Sequence, residues 1–437
     1  MDLRGQTVAA ELTWTGDAFV RNVAVRMRPD GRIAEIETAR DDRVDHTLPR
    51  RALLPGFVNA HSHAFQRGLR GRGETFPAGA GSFWTWREAM YGLVEALDRD
   101  ELYTVCRRAF EEMRLAGMTT VGEFHYLHHD DADRLDYAFD EVVLDAARDV
   151  GIRIVLLQAY YRTGGIGTPL AGGQRRFATP DLDSYWRKLD HLANRVDGEL
   201  QRVGVVAHSL RAVPVDDLTP LFAGARERGM VVHMHVEEQR QEIAQSLEAY
   251  SQRPMHLLDE VLDLDKSFTA VHCTHTNPGD LELMLAAGGH VCICPLTEAN
   301  LGDGIADLPR IVDAGGGLCL GSDSNARISM IEEMRWLEYV QRLARERRGV
   351  VVDRRGSVAR KLLHAATAGG GAALGIDCGA IQDGQWADLT VIDLDAPALA
   401  GSDDDTLLEA MLFGASDDVI AGTVVGGQTC SRLASTL

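Results

Sequence analysis

Two histidines one residue apart, His61 and His63, close the apolar run Leu53-Leu54-Pro55-Gly56-Phe57-Val58-Asn59-Ala60. Alternate side chains of a strand share a face, so both imidazoles can project from one strand end and grip a single metal ion. An isolated His-x-His also arises by chance; the company this one keeps raises it above chance. Later apolar runs end in Glu123, His125 and Tyr126, then His128 and His129; in His208 and Arg211; in His233, His235, Glu237 and Glu238; in His272 and His275; and in Ser322 and Asp323. Of these, His61, His63, His235 and Asp323 are imidazole and carboxylate donors suited to one Zn²⁺ per chain, with a position left for water; Fe²⁺ or Mn²⁺ would also accept them. Zinc lowers the pKa of bound water to roughly 7, which makes a nucleophile at neutral pH. Glu238, three residues beyond His235, can then move protons. His272 can hydrogen-bond the oxygen or a developing tetrahedral centre, and Asp323 can also take the attacking water's proton. His128, His129, His233 and His275 read better as buried imidazoles with structural partners.

Such groups must be held at one rim of a scaffold. Apolar strand-like runs occur at 52–59, 118–124, 152–159, 202–207, 230–236, 268–272, 290–294 and 317–320, separated by helical stretches that include 101–115, 135–150, 216–228, 239–262 and 280–287. Eight strand-plus-helix units predict an α/β fold, a (β/α)8 TIM-type barrel whose site lies at the C-terminal strand ends. A doubly wound open sheet is the alternative, but no glycine-rich nucleotide turn follows the first strand. Short strand-like segments at 7–12, 18–25 and 32–36 match the texture of 387–394 and 419–426. The two chain ends are therefore expected to meet in one small β-sandwich domain: 1–54 and 373–437, flanking a barrel at 55–372.

The 437 residues carry a formal net charge of −20, with 45% hydrophobic and 25% charged residues. An acidic chain of this kind argues against nucleic acid or an anionic membrane as partner. It also makes arginines gathered in a pocket stand out, because lysine occurs only at Lys188, Lys266 and Lys361. The seven cysteines are odd in number and sit mostly in apolar runs, which predicts reduced thiols and a cytoplasmic setting. Cys292-x-Cys294 resembles half of a metal site but has no second pair, and reads as strand core. The first 16 residues hold no long apolar run, so neither a signal peptide nor a membrane span is expected.

His61-x-His63, His235-x-x-Glu238, His272 and Ser322-Asp323, taken in order, resemble the amidohydrolase superfamily in its mononuclear deaminase branch. Longer stretches are similar to the formimidoylglutamate deiminase family: His61-Ser62-His63-Ala64-Phe65-Gln66-Arg67, residues 82–91, Glu123-Phe124-His125-Tyr126, His208-Ser209-Leu210-Arg211, residues 297–303 and Arg335-Trp336-Leu337-Glu338. The resemblance implies hydrolysis of N-formimino-L-glutamate to N-formyl-L-glutamate and ammonia in histidine degradation. It implies zinc on His61, His63, His235 and Asp323, proton work by Glu238 and His272, and a homodimer. It places Gln66, Arg87, Tyr126, His208 and Arg211 on the substrate. The residues agree on one point independently: an anionic amidine needs cations in fixed forks, and Arg87 and Arg211 can pair carboxylates bidentately. Either could instead be a surface arginine, and Gln66 and Tyr126 could be structural. Residues 83–86, rich in aromatics, are expected to form either a lid or core. Alternatives that stay open are another amidine or aminated heterocycle (formimino-aspartate, a guanidino acid, a purine), an amide hydrolase, and a non-catalytic metal-binding barrel. Asn325 departs from the histidine expected at that place in family members, which leaves specificity open if it touches substrate. Residues 164–179 read as an insertion, either a mobile loop or a subunit contact.

Overall fold

The apolar run that carries His61 and His63 is not one strand but two. It is divided at Gly56 between His46–Pro55 and Phe57–Ser62. A side chain at Gly56 would lie 2.1 Å from the Thr119 hydroxyl oxygen, so only glycine lets the backbone turn here from one sheet into the next. The computed structural model describes residues 1–72, 74, 75, 81, 83–313 and 317–430. Ser82 of the aromatic stretch, and 431–437 of the expected small domain, lie outside the described residues.

The first sheet joins both chain ends. Its strands are β1 (Thr7–Trp14), β2 (Phe19–Arg21), β3 (Val23–Met27), β4 (Ile33–Thr38) and β5 (His46–Pro55), with β14 (Leu389–Asp393), β15 (Ile420–Val425) and β16 (Gln428–Thr429) from the far end. The order is β16-β15-β14-β5-β1-β3-β4, with β2 paired to β1. Antiparallel pairing of β14 with β5, Leu389 opposite Pro55, is the seam that unites the two ends in the small β-domain.

The barrel follows: β6 (Phe57–Ser62), β7 (Met118–His125), β8 (Arg153–Tyr160), β9 (Gln201–Ala207), β10 (Val232–Val236), β11 (Phe268–His272), β12 (His290–Ile293) and β13 (Gly317–Leu320). These strands pair in sequence order and in parallel, flanked by helices. Buried on both faces, they need continuous apolar runs rather than alternation, which is what the sequence supplies. The expected long helix over 239–262 is two helices, Arg240–Tyr250 and Pro254–Val261. Pro254 cannot continue a helix from its amide, and Ser251 adopts φ 59° to end the first one.

The barrel closes where β6 meets β13, through a parallel bridge between Ser62 and Asp323. Asp323 N donates to His61 O at 3.0 Å and His63 N donates to Asp323 O at 2.9 Å. Three of the four expected metal ligands therefore sit on the closing seam. Barrel and small sheet are tied by a buried ion pair, Arg153 Nε to Asp388 Oδ2 at 2.9 Å.

Candidate active site

Each barrel strand delivers its polar groups at its C-terminal end, and the backbone there is strained. Non-glycine residues with positive φ include Glu237 (53°), His272 (74°), Cys273 (52°), Asp323 (46°) and Asn325 (55°). Left-handed conformations cost these residues free energy, and they cluster where side chains must be aimed rather than packed.

His61, His63, His235 and Asp323 converge, one donor atom from each lying within 4.8 Å of the others. Asp323 Oδ1 stands 3.4 Å from His61 Nε2 and 3.3 Å from His63 Nε2. His63 Nδ1 donates to Phe124 O at 2.7 Å, and His235 Nδ1 donates to His208 O at 3.1 Å. Those outer hydrogen bonds fix the tautomers, so the neutral rings point their Nε2 lone pairs inward. His235 Nε2 and His61 Nε2 are 3.2 Å apart. Burial, followed by the neighbouring His61, depresses His63 to about 3, so the rings stay unprotonated at neutral pH. Burial also lowers His61 and His235. Lone pairs facing one another beside a carboxylate repel unless a cation lies between them. The donor set fits a divalent metal ion.

Above these groups opens a cleft lined by His63, His235, His272, Asp323, Glu238, Gln66, Arg87, Tyr126, His208 and Arg211, together with Phe83, Trp86, Met90, Tyr91, Tyr161, Phe177, Ser209 and Leu301. Every residue expected from the sequence is at this cleft or, as with His61, beneath it. Gln66 Nε2 donates to Tyr126 Oη at 2.7 Å, both buried. Arg211 is buried with Nη2 3.9 Å from Glu238 Oε2. The Arg87 guanidinium lies 5.3 Å from the centre of the Tyr91 ring. Burial raises Glu238 against the opposing pull of His272 and Arg211. For His272 burial works against the charge, but Glu238, Glu298 and Asp323 outweigh it and push the imidazole up to about 10. Its Nδ1 faces Glu298 Oε1 at 3.2 Å and its Nε2 faces Asp323 Oδ2 at 3.7 Å.

Other expectations are relocated. Phe83 and Trp86 belong to the helix Phe83–Ala96, which also carries Arg87 and Tyr91 to the cleft wall. Asn325 does not line the cleft: its amide donates to Ser62 Oγ at 3.1 Å and accepts from Ser322 Oγ at 2.6 Å, bracing the strand ends behind Asp323. The second half of 164–179 is packed, whereas most of 167–172 is exposed. Arg176 is buried and donates to the carbonyls of Leu97 and His129, and Phe177 reaches the cleft wall. His233 Nε2 donates to Ala373 O at 3.0 Å, as a structural histidine would. Sequence reasoning missed Tyr161, Glu298 and Asp303. Tyr161 could have been found as the first residue past β8. Asp303 sits against Gln239, and burial followed by the nearby Glu238 pushes it up to about 9.

Comparison with known proteins gives the same architecture. A profile of the amidohydrolase family matches residues 52–430. The chain is 37% identical over 433 residues to the formimidoylglutamate deiminase of Pseudomonas aeruginosa, covering 97% of this chain and 94% of that protein. It is 29% identical to a 5-methylthioadenosine/S-adenosylhomocysteine deaminase of Natronomonas pharaonis, covering 97% and 90%. Among solved structures, an amidohydrolase from Brucella melitensis superposes with a TM-score of 0.87 at 31% identity, covering 97% of this chain and 94% of that one. A zinc-bound adenosine deaminase from Xanthomonas campestris shares the fold at a TM-score of 0.82 and 24% identity, over 98% and 92%.

Proposed function

The chain belongs to the amidohydrolase family, a hydrolase acting on C–N bonds, and from that premise we propose that it is a zinc-dependent deiminase of N-formimino-L-glutamate. The observation that carries the reading is the juxtaposition of an inward-facing His61, His63, His235 and Asp323 set with the buried Arg211–Glu238 pair. A site for a small dianionic amidine needs both a place to activate water and fixed cations beside it.

His61, His63, His235 and Asp323 would hold the metal. When bound, zinc supplies Lewis acidity that brings a water's pKa to about 7. Asp323 takes the proton that the attacking water releases. As the water oxygen joins the formimino carbon, His272 donates from Nε2 and steadies the growing negative charge; Glu298 at Nδ1 holds the ring for this. Glu238 takes the remaining proton of that oxygen and delivers it to the departing nitrogen. The carbon–nitrogen bond to that nitrogen breaks, leaving N-formyl-L-glutamate and ammonia. Arg211 and Arg87 pair the two substrate carboxylates, and Gln66, Tyr126 and His208 shape the wall beside the amidine. The same reading takes 55–372 as the catalytic barrel unit, and carries with it a homodimer, a cytoplasmic setting and a role in histidine degradation. Among the described residues no helix is long and apolar enough to cross a membrane.

Ammonia release from N-formimino-L-glutamate, with N-formimino-L-aspartate, guanine and adenosine alongside, tests the substrate. Fast release from the first alone is the expected result. Release only from a nucleobase would keep the metal chemistry and overturn the substrate. Glu238→Gln should lower kcat by about 10²–10⁴-fold with zinc content unchanged; near-normal turnover in that variant would defeat the assignment.

A further inference from the structure

Beneath the cleft, Asp323 divides its two oxygens. Oδ1 faces His61 and His63, and Oδ2 faces His272 Nε2 at 3.7 Å. A third donor completes a trio on the Oδ2 side. Donor atoms of Cys294, His272 and Asp323 all lie within 4.8 Å of one another, and all three residues are buried. Cys294 follows the end of β12 and is packed in one buried layer with Cys292 and Cys319. Cys292 and Cys319 face each other across the β12–β13 ladder, and Cys319 Sγ hydrogen-bonds Val291 O at 3.6 Å. The Cys294 sulfur lies against Gly321, where a side-chain carbon would stand 3.0 Å from it, so the glycine before Ser322-Asp323 is what leaves the sulfur its room. One carboxylate anchors the other two members of the trio. Glu298 Oε1 accepts from Cys294 N at 3.0 Å and from His272 Nδ1 at 3.2 Å, which leaves His272 Nε2 turned toward Asp323.

We infer that Cys294, His272 and Asp323 form a second, thiophilic divalent-metal position, bridged to the first by the Asp323 carboxylate and inhibitory when filled. The donor set of one sulfur, one imidazole and one carboxylate suits zinc, cobalt or cadmium, with metal–ligand bonds of roughly 2.0–2.3 Å and a small contraction of the trio. Binding replaces the Cys294 S–H bond with a sulfur–metal bond and the His272 Nε2–H bond with a nitrogen–metal bond, and releases two protons to solvent. No electron changes hands. Inhibition rests on the proposed role of His272, because a ring that ligates through Nε2 cannot donate from it. Occupancy of the trio is independent of that role.

The test loads the protein with one equivalent of Co²⁺ and then adds a second, following bound metal by equilibrium dialysis, the near-ultraviolet thiolate-to-cobalt charge-transfer absorption, and ammonia release. The wild-type protein is expected to take the second equivalent, to gain the absorption only with it, and to lose activity in step. Cys294→Ala should bind the second equivalent more than about 100-fold more weakly, beyond what loss of an outer partner costs, and lack the absorption. Cys319→Ala, a neighbouring thiol outside the trio, should behave as wild type; Cys294→Ser guards against misfolding of the alanine variant. Absence of the absorption in the wild type, or its survival in Cys294→Ala, overturns the inference. Retention of the first equivalent without the second overturns this inference alone, and failure to hold even the first overturns the metal reading of the cleft as well. No ammonia release from any amidine with the first equivalent alone, followed by the absorption when the second is added, leaves the trio standing and defeats the proposed function.

Discussion

Two buried clusters in this barrel have nearly the same composition and opposite characters. One is His61, His63, His235 and Asp323; the other is His125, His128 and Asp140, and in both the donor atoms fall within 4.8 Å of one another. Strand β7 runs between them. Phe124 of β7 packs on His61, His63 and His235 inside the barrel, and its neighbour His125 points the other way, to Asp140 of the helix Ala138–Val150. Hydrogen-bond bookkeeping separates the two. In the first cluster the outer nitrogens of His63 and His235 are donors to backbone carbonyls, so the inner ones are lone pairs aimed at each other. In the second, His128 donates from Nδ1 to Asp140 Oδ1 at 2.9 Å and from Nε2 to Ala159 O at 2.8 Å. Both its nitrogens are spent, and Asp140 also accepts from Gln158. Opposing charges hold Asp140 below the usual carboxylate range despite its burial. The first cluster needs a cation to be complete. In the second, His128, Asp140 and Gln158 already bond to one another.

This difference is most easily broken by removing each carboxylate in turn. Asp323→Ala should empty the first cluster of metal and lower turnover by about 10⁴-fold or more, since proton transfer alone can account for 10²–10⁴. Metal analysis and ammonia release measure both, and the folded state should persist, because the site is not the core. Asp140→Asn removes one partner of a buried charge network, a change that costs about 3–5 kcal/mol of stability in general. Denaturant unfolding should show that loss while metal content stays that of the wild type. If Asp140→Asn emptied the metal site, or Asp323→Ala cost as much stability as Asp140→Asn, the distinction drawn from the hydrogen bonds would be wrong.

Much of the metal cluster was legible in sequence because strand periodicity carries it. His61 and His63 share a face at spacing two, and His235 and Asp323 stand at ends of equally apolar runs. The barrel was legible for the same reason: strands buried on both faces leave long hydrophobic signatures. What could not be read was set by contacts between distant segments. Asp140 is an ordinary acidic residue in an amphipathic helix until β7 and β8 bring His125, His128 and Gln158 against it. Glu298 is a helix-start carboxylate whose hold on His272 depends on β11 and β12 being neighbours. The division of 52–59 at Gly56 is invisible to hydropathy, since both halves are equally apolar. Asn325 shows the reverse case, a departure from the family pattern that left specificity open and that braces the strand ends behind Asp323.

The smallest predicted effect lies beside the closed cluster, in its pH dependence. His129 donates from Nε2 to Ala178 O at 2.8 Å and accepts the Tyr137 amide at Nδ1 at 3.1 Å, so its neutral tautomer is built into the loop. Burial, and then the charge of His128, push it down to about 4. An unfolded histidine titrates near 6.5, so between pH 6.5 and 4 the unfolded chain binds a proton that the folded chain refuses. The contribution of His129 is therefore fully present above about pH 6.5 and is lost as pH falls through that window, at no more than about 1.4 kcal/mol per pH unit. Asp140, also depressed, acts in a lower window, below the ordinary aspartate value, so the two slopes do not overlap. His129→Gln keeps a neutral donor and acceptor and should flatten the fall in unfolding free energy between pH 6.5 and 4 in denaturant titrations, with ammonia release at pH 7.5 unchanged. An unaltered slope would mean that the loop opens before His129 protonates, and the closed cluster would then be less closed than its hydrogen bonds imply.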